Sequence, residues 1–145
     1  MNWRQEAVCD LERYEKQKQA LDNISDRISI LNDSYTSLKS ASMDKLPYKA
    51  DATRFEDAML NNIVERQKLE NTYKITRSLV RLTEKGLCKL NDCEKRVLEL
   101  FYIRKQKMHV ERLMEELGYE KTKIYSLREK ALHDFTICMY GLLEC

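Results

Sequence analysis

The sequence predicts an all-α protein, in which a long antiparallel, coiled-coil-like helical hairpin precedes a set of shorter C-terminal helices. The 145 residues include only three glycines and one proline, whereas an all-β sandwich or barrel needs many turns. Apolar residues in the first half of the chain recur at the spacing of long amphipathic helices. We expect the hairpin in residues 1–88 and a second domain in residues 89–145.

The first predicted helix covers residues 3–38 and carries a heptad pattern. Apolar side chains repeat every seven residues on two interleaved rows, which is typical of a coiled-coil seam. The connector from Lys39 to Ala50 contains the helix breaker Pro47. Because two helices alone bury little apolar surface, we expect a homodimer or packing against the last third of the chain. The expected oligomerisation residues are Leu21, Ile24, Ile28, Leu31 and Leu38.

A second long helix is expected to end at Gly86, since glycine is typical of helix C-termini. Its start has two candidate caps, a capping box formed by Thr53 and Glu56, and Asp51. Four cations on this helix follow one another at steps of three, four and four residues and therefore share one face. They form either a solvated row or a row that contacts phosphates. These cations are Lys74, Arg77, Arg81 and Lys85.

The last third of the chain begins with an expected core helix. Asn91 fits an N-cap, and Glu94 follows three residues later. Apolar residues then cover much of the helix circumference up to about Arg104, which is typical of a helix that is buried on most sides. A short helix is expected from about His109 to Leu117.

Gly118 and the helix that follows it complete a helix-turn-helix pattern. This last helix begins near Lys121 and has Ile124 and Phe135 on its apolar face. Its opposite face combines cations, which suit phosphates, with short polar groups, which suit base edges. It is either a solvated surface or a DNA-binding one. The residues expected to contact DNA are Lys121, Thr122, Lys123, Tyr125, Ser126 and Lys130.

The segment from Leu90 to Phe135 resembles region 4 of bacterial sigma factors. It carries the resemblance in Leu-Asn-Asp-Cys-Glu-Lys-Arg-Val-Leu, then Leu-Gly-Tyr, then Lys-Ala-Leu. The whole chain is similar to small phage and prophage transcriptional regulators of the ArpU and RinA kind. The resemblance implies sequence-specific binding of double-stranded DNA, with residues 121–135 in the major groove. It also implies transcriptional control in the cytoplasm of a bacterial host, with the host RNA polymerase as a further partner.

The sequence departs from the sigma pattern at three places. Met114 stands where a small alanine is usual, Met108-His109 replaces the usual Ser or Thr cap, and Glu120 replaces the usual Ser before the recognition helix. Two alternatives to a transcriptional regulator remain. One is a DNA-packaging subunit similar to a small terminase, which would form a ring. The other is a helical interaction protein that does not bind DNA.

The sequence predicts no cofactor, no metal site and no enzymatic activity. The five cysteines are an odd number without a Cys-x-x-Cys pair, which is typical of free thiols in a reducing compartment. The only histidines are His109 and His133, and neither belongs to a metal-binding or nucleophile–His–acid motif. The longest apolar runs have four or five residues, and no secretory signal is visible. We therefore expect a cytoplasmic protein with no membrane partner.

Overall fold

The computed structural model describes residues 1–40 and 49–141, and this part of the chain contains helices and no β-strand. The all-α prediction is therefore confirmed. Most of the predicted connector, including Pro47, lies outside the described residues. Residues 142–145 lie outside them as well. The described helices are α1 (Trp3–Ser40), α2 (Lys49–Cys88), α3 (Asp92–Leu98) with a π-helical continuation (Glu99–Ile103), α4 (His109–Leu117) and α5 (Lys121–Tyr140).

Packing divides the chain into two units, and both long helices contribute to each of them. The first unit contains Met1–Lys18 and Ser78–Cys145, and the second contains Gln19–Arg77. The unit that holds the C-terminal helices thus includes residues upstream of the expected boundary between residues 88 and 89. The domain limits 1–88 and 89–145 stay a prediction.

Two apolar clusters form the core of the first unit, and α5 contributes to both. The first cluster joins the start of α1 to the C-terminal half of α5 and contains Ala7, Leu11, Leu90, Leu98, Ala131, Leu132 and Phe135. The second joins α3, α4 and the N-terminal half of α5 and contains Val97, Leu100, Phe101, Val110, Leu113 and Ile124. Because both halves of α5 are anchored, the direction of its exposed face is fixed within this unit.

Gly86 does not end α2, as the sequence predicted, but marks a close approach between helices. The helix continues through Gly86 to Cys88. A Cβ atom at Gly86 would lie 2.9 Å from Met139 Sδ and 2.9 Å from Phe135 Cε2, which are both side-chain atoms of α5. Since real Cβ atoms do not approach other atoms this closely, a larger residue at this position would force Met139 and Phe135 to shift.

The predicted cap of α2 is also wrong, whereas that of α3 is confirmed. Both candidate caps, Asp51 and the capping-box residue Thr53, lie inside α2, because this helix already begins at Lys49. At α3, Asn91 Oδ1 accepts a hydrogen bond from the Glu94 backbone N–H at 2.8 Å. The expected core helix changes after Leu98 into the π-helical continuation, a widened turn that the apolar pattern did not predict.

The described part of the second unit contains no buried apolar side chain. Its one buried residue is Asn62, whose amide donates to the Leu31 carbonyl at 2.9 Å and accepts from Arg66 Nε at 2.9 Å. Arg66 also donates to Asn32 Oδ1 at 2.7 Å and lies over the Tyr35 ring. In this unit α1 thus contacts α2 of the same chain. The expected oligomerisation residues are all half-buried here, and their role stays a prediction: Leu21, Ile24, Ile28, Leu31 and Leu38.

Candidate nucleic-acid interface

The N-terminal half of α5 exposes a polar, basic surface and buries its opposite side. Ile124 is fully buried and packs in the cluster that contains Val97 and Leu113. This burial confirms the predicted orientation of the helix. All six residues expected to contact DNA are exposed: Lys121, Thr122, Lys123, Tyr125, Ser126 and Lys130.

The turn between α4 and α5 depends on a glycine with a left-handed backbone. Gly118 has φ 70°, and its N–H donates to the Met114 carbonyl at 2.9 Å, which closes the end of α4. No atom lies within 4 Å of a Cβ built at Gly118, so the backbone conformation, not crowding, favours glycine here. Glu120 then occupies the N-cap position of α5 without a side-chain cap bond. The first amides of α5 therefore receive no acceptor from their cap residue.

A bidentate ion pair links α3 to α4. Arg96 donates from Nε and Nη2 to the two Glu116 oxygens, each at 2.8 Å, and from Nη1 to Glu99 at 3.1 Å. The hydrogen bonds from Arg96 hold the pKa of Glu116 below its usual range, and those to Glu116 and Glu99 raise the pKa of Arg96. The pair fixes the start of the core helix against the end of α4.

Phe101 brings the start of α4 and the exposed face of α5 together. The centroid of its ring lies 4.5 Å from that of His109 and 6.1 Å from that of Tyr125, with both pairs edge-on. The Arg128 guanidinium lies over the rings of Phe101 and Tyr125, at 5.3 and 5.2 Å from their centroids. Of the pair Met108-His109, which replaces the usual Ser or Thr cap, Met108 takes the N-cap position of α4, in a left-handed conformation and without a side-chain cap bond.

The first turn of α1 contacts α5 at two places. Arg4 pairs with Glu129 of α5, and Glu129 also pairs with Arg128. The Trp3 ring stacks on that of Tyr140 with centroids 5.0 Å apart. These long-range contacts position the helix but leave no signal in local sequence pattern.

The Tyr140 hydroxyl donates to the Asp10 carboxylate, which adds a polar contact between α5 and α1. Burial and this hydrogen bond raise the pKa of Tyr140. A tyrosine is protonated at neutral pH in any case, so the raised pKa extends this contact into the alkaline range.

Two lysines of the exposed face have partners within the protein. The Lys130 ammonium lies 3.8 Å from Oε1 of Glu94, a buried carboxylate, so part of its charge is neutralised. The Lys123 ammonium lies 5.7 Å from the centroid of the Tyr119 ring. A ring leaves the charge of Lys123 available to an anion, whereas Lys130 is a weaker candidate for a phosphate contact.

Two further exposed cations lie just before α4, and the sequence prediction did not consider them as candidate contacts. Lys105 and Lys107 precede α4 and are exposed, close in sequence to His109. The pattern indicated only the end of a helix here. Their position within four residues of a helix N-terminus could have indicated Lys105 and Lys107 as candidate phosphate contacts. Arg104, in the same run, instead pairs with Glu15 at 3.3 Å and Glu99 at 3.6 Å.

The basic row of α2 is exposed but is divided between the two packing units. Lys74 and Arg77 belong to the second unit, and Arg81 and Lys85 belong to the first. Exposure fits both interpretations of the row, solvation and phosphate contact. The possible phosphate contacts of these four residues therefore stay a prediction.

The described residues contain no group of three or more His, Cys, Asp or Glu side chains that could hold a metal. Four cysteines lie in this part of the chain, and all are free thiols. None of the described helices is both long and apolar enough to cross a membrane. Comparison with known proteins found no matching family model, no similar curated protein and no similar solved structure.

Proposed function

We propose that the protein binds double-stranded DNA sequence-specifically, with residues 121–135 as its recognition helix in the major groove. One observation carries this proposal. The N-terminal half of α5 presents cations, hydroxyl groups and an exposed tyrosine on one face, while its other side is buried. An α-helix fits the width of the major groove, and this mixture of groups suits phosphates and base edges.

In this proposal α4, the turn at Gly118 and α5 form a helix-turn-helix of the sigma region 4 kind. Packing of Leu113 against Ile124 in one cluster supports the arrangement, because it holds the first helix against the second. We also propose that α1 and α2 form the expected helical hairpin. Contacts between the two helices within each unit support it, such as that between Tyr14 and Glu84.

The side chains of the interface divide into two roles. Lys121 and Lys123, at the start of α5, would contact phosphates, and the uncapped amides of the helix add further donors there. Thr122 and Ser126 would reach base edges, because they project away from the buried Ile124. Lysine contacts supply affinity without sequence information, whereas contacts to base edges supply specificity.

The region before α4 would add contacts to the DNA backbone. Lys105 and Lys107 are exposed, and the nearby His109 and the Tyr125 of the proposed interface both contact the ring of Phe101. In helix-turn-helix complexes the first helix crosses the DNA backbone. These lysines are therefore expected to lie near phosphates on that side.

Selection of bound duplexes from a random pool tests the proposal. The wild-type protein should enrich a defined motif. Lys123→Ala should weaken binding to all duplexes and keep the motif, whereas Ser126→Ala should flatten one or two positions, by about 1 kcal/mol each. A pool without any enriched motif would contradict sequence-specific binding. A motif that Lys123→Ala rewrites and Ser126→Ala preserves would contradict the assigned roles.

The proposed biological role is transcriptional regulation of phage or prophage genes in the cytoplasm of a bacterial host. The protein would act as a homodimer on two half-sites, with the host RNA polymerase as a further partner. Mass in solution separates this role from DNA packaging. A dimer supports the regulator, whereas a ring of about eight subunits would support a small-terminase-like protein. Failure to bind duplex DNA would leave a helical interaction protein.

A further inference from the structure

The exposed face of α5 carries its cations unevenly on its two flanks. Measured around the helix from the buried Ile124, Lys123 and Lys130 project at about 260° and 240°, which is one flank. On the other flank Lys121 projects at about 60°, in the first turn of the helix. About two turns further along, this second flank presents a carboxylate, Glu129, at about 140°. A helix in the major groove lies between two phosphate backbones, so cations are expected on both flanks.

A cation from α1 lies at this second flank. Arg4 Nη2 pairs with Glu129 Oε2, and the two side chains are 44% and 46% exposed. The other oxygen of Glu129 accepts from Arg128 Nη2 at 2.7 Å. Two guanidinium groups around one carboxylate leave one net positive charge, at a place where Glu129 alone would repel a phosphate.

The position of Arg4 does not depend on the ion pair alone. Ala7 and Leu11, which follow on the same helix, are fully buried in the apolar cluster that contains the C-terminal half of α5. The neighbouring Trp3 ring stacks on Tyr140 of α5. Apolar packing therefore holds the first turns of α1 beside α5, and with them Arg4.

We propose that Arg4 contacts a DNA phosphate beside the recognition helix, on the flank where α5 presents Glu129. This contact rests on the proposed function, because it requires α5 to lie in the major groove. Arginine suits the role, since the N–H donors of its planar guanidinium can hold a carboxylate on one edge and a phosphate on another. The DNA interface then includes the first turn of α1, 125 residues before Glu129 in the sequence.

The alternative is that Arg4 serves only as the partner of Glu129, in a surface ion pair that fastens α1 to α5. The two roles differ in their effect on charge. Loss of either partner breaks the same ion pair. Loss of Arg4 removes a cation from the proposed interface, however, whereas loss of Glu129 removes an anion.

The salt dependence of duplex binding by the full chain separates these roles. Arg4→Ala should weaken binding about fivefold and reduce the slope of log affinity against log salt by about 0.9 in magnitude. Arg4→Lys, which keeps the charge, should keep the slope. Glu129→Gln should not weaken binding, since it removes an anion near phosphates. Equal weakening by Arg4→Ala and Glu129→Gln would overturn the proposed contact.

Lys16→Ala is the matched control, since Lys16 is an exposed cation of the same helix and the same unit. It follows Arg4 by twelve residues, which is about 18 Å along α1. This variant should keep the affinity and the slope of the wild type. Circular dichroism should show unchanged helix content in all variants, because exposed ion pairs contribute little to stability. A slope reduced as much by Lys16→Ala as by Arg4→Ala would overturn a local contact.

Neutral phosphates in the duplex locate the contact. Methylphosphonate linkages, which carry no charge, are placed one at a time in the duplex enriched by selection. At the phosphate that Arg4 contacts, this change should weaken binding of the wild type about fivefold but leave binding of Arg4→Ala unchanged. If every linkage affects both proteins equally, the contact is overturned.

Failure of this contact and failure of the proposed function give different results. An enriched motif together with an unchanged slope for Arg4→Ala would overturn the contact alone. A protein that binds duplexes without an enriched motif still reports the slope, since phosphate contacts do not depend on sequence. A reduced slope for Arg4→Ala would then support the contact without sequence-specific binding. A protein that binds no duplex would overturn both.

Discussion

The two packing units differ in where their apolar side chains lie. Among the described residues, all fourteen buried apolar side chains belong to the first unit, around α5. The second unit, over its described residues, buries only Asn62. The first unit therefore has a core of its own, which holds α5 in place. Helices that bury so few apolar side chains are typically stabilised by packing against a further surface.

The largest expected effect is the loss of a core side chain from the first unit. Phe135 is fully buried, and its Cε2 atom lies 2.9 Å from the position that a Cβ at Gly86 would take. Phe135→Ala should lower the free energy of unfolding by about 3–5 kcal/mol, measured by urea denaturation. Ile137→Ala, on the exposed side of the same helix, should change it by less than about 0.5 kcal/mol. Equal effects of the two variants would contradict the described core.

Two neighbouring residues of α1 sharpen the comparison in the second unit. Leu31 is half-buried beside Asn62, whereas Ile30 is exposed. Under conditions that keep the chain monomeric, Leu31→Asp should lower the free energy of unfolding by about 2 kcal/mol, because it places a carboxylate against α2. Thermal denaturation followed by circular dichroism measures this change. Ile30→Asp should leave monomer stability nearly unchanged, because its side chain faces solvent. If Ile30→Asp destabilised the monomer as much as Leu31→Asp does, the assignment of the two faces would be wrong.

Elements determined by local pattern could be predicted closely from the sequence. The start of α1, the cap at Asn91 and the limits of α4 depend on apolar spacing and on residues within one turn. The burial of Ile124 and the exposure of Ser126 follow from the same helical arithmetic. Local pattern thus predicted the composition of the exposed face of α5.

Features determined by distant contacts could not be predicted in this way. Gly86 resembles a helix end, but its role comes from the approach of Met139 and Phe135, about fifty residues away in the sequence. The pairing of Arg4 with Glu129 likewise joins opposite ends of the chain. The local sequence around Thr53 fits a helix cap, but it does not show whether the helix extends further upstream, as α2 does to Lys49.

The salt dependence of DNA binding tests which cations of the two units contact phosphates. Lys123→Ala should reduce the slope of log affinity against log salt by about 0.9 in magnitude, with an affinity loss of about 1 kcal/mol. The double variant Lys74→Ala with Arg77→Ala, in the second unit, should leave the slope unchanged if that row is only solvated. A reduced slope in the double variant would instead show that the basic row of α2 contacts phosphates.

The smallest expected effect concerns a tyrosine in the first unit. Tyr14 donates to Glu84 at 2.9 Å, and burial, then this hydrogen bond, raise the pKa of Tyr14 from 10.0 to about 12. The folded state therefore favours the protonated phenol. The resulting stabilisation is complete below pH 10 and is lost as the pH rises to about 12.

Tyr14→Phe should cost about 1 kcal/mol at neutral pH and should flatten the decline of stability over this alkaline range. Urea denaturation at a series of pH values measures both effects. Tyr119→Phe provides the control, since Tyr119 is exposed. A pH dependence that Tyr14→Phe leaves unchanged would contradict the contribution of this hydrogen bond.

Hydrogen exchange with and without the duplex enriched by selection tests the central claim most directly. If the exposed face of α5 is the DNA interface, bound duplex should slow exchange in residues 119–130 and in residues 105–109. Residues 51–70 of the second unit should exchange as they do in the free protein. Protection confined to the second unit, or none in α5 when the duplex is saturating, would contradict the account.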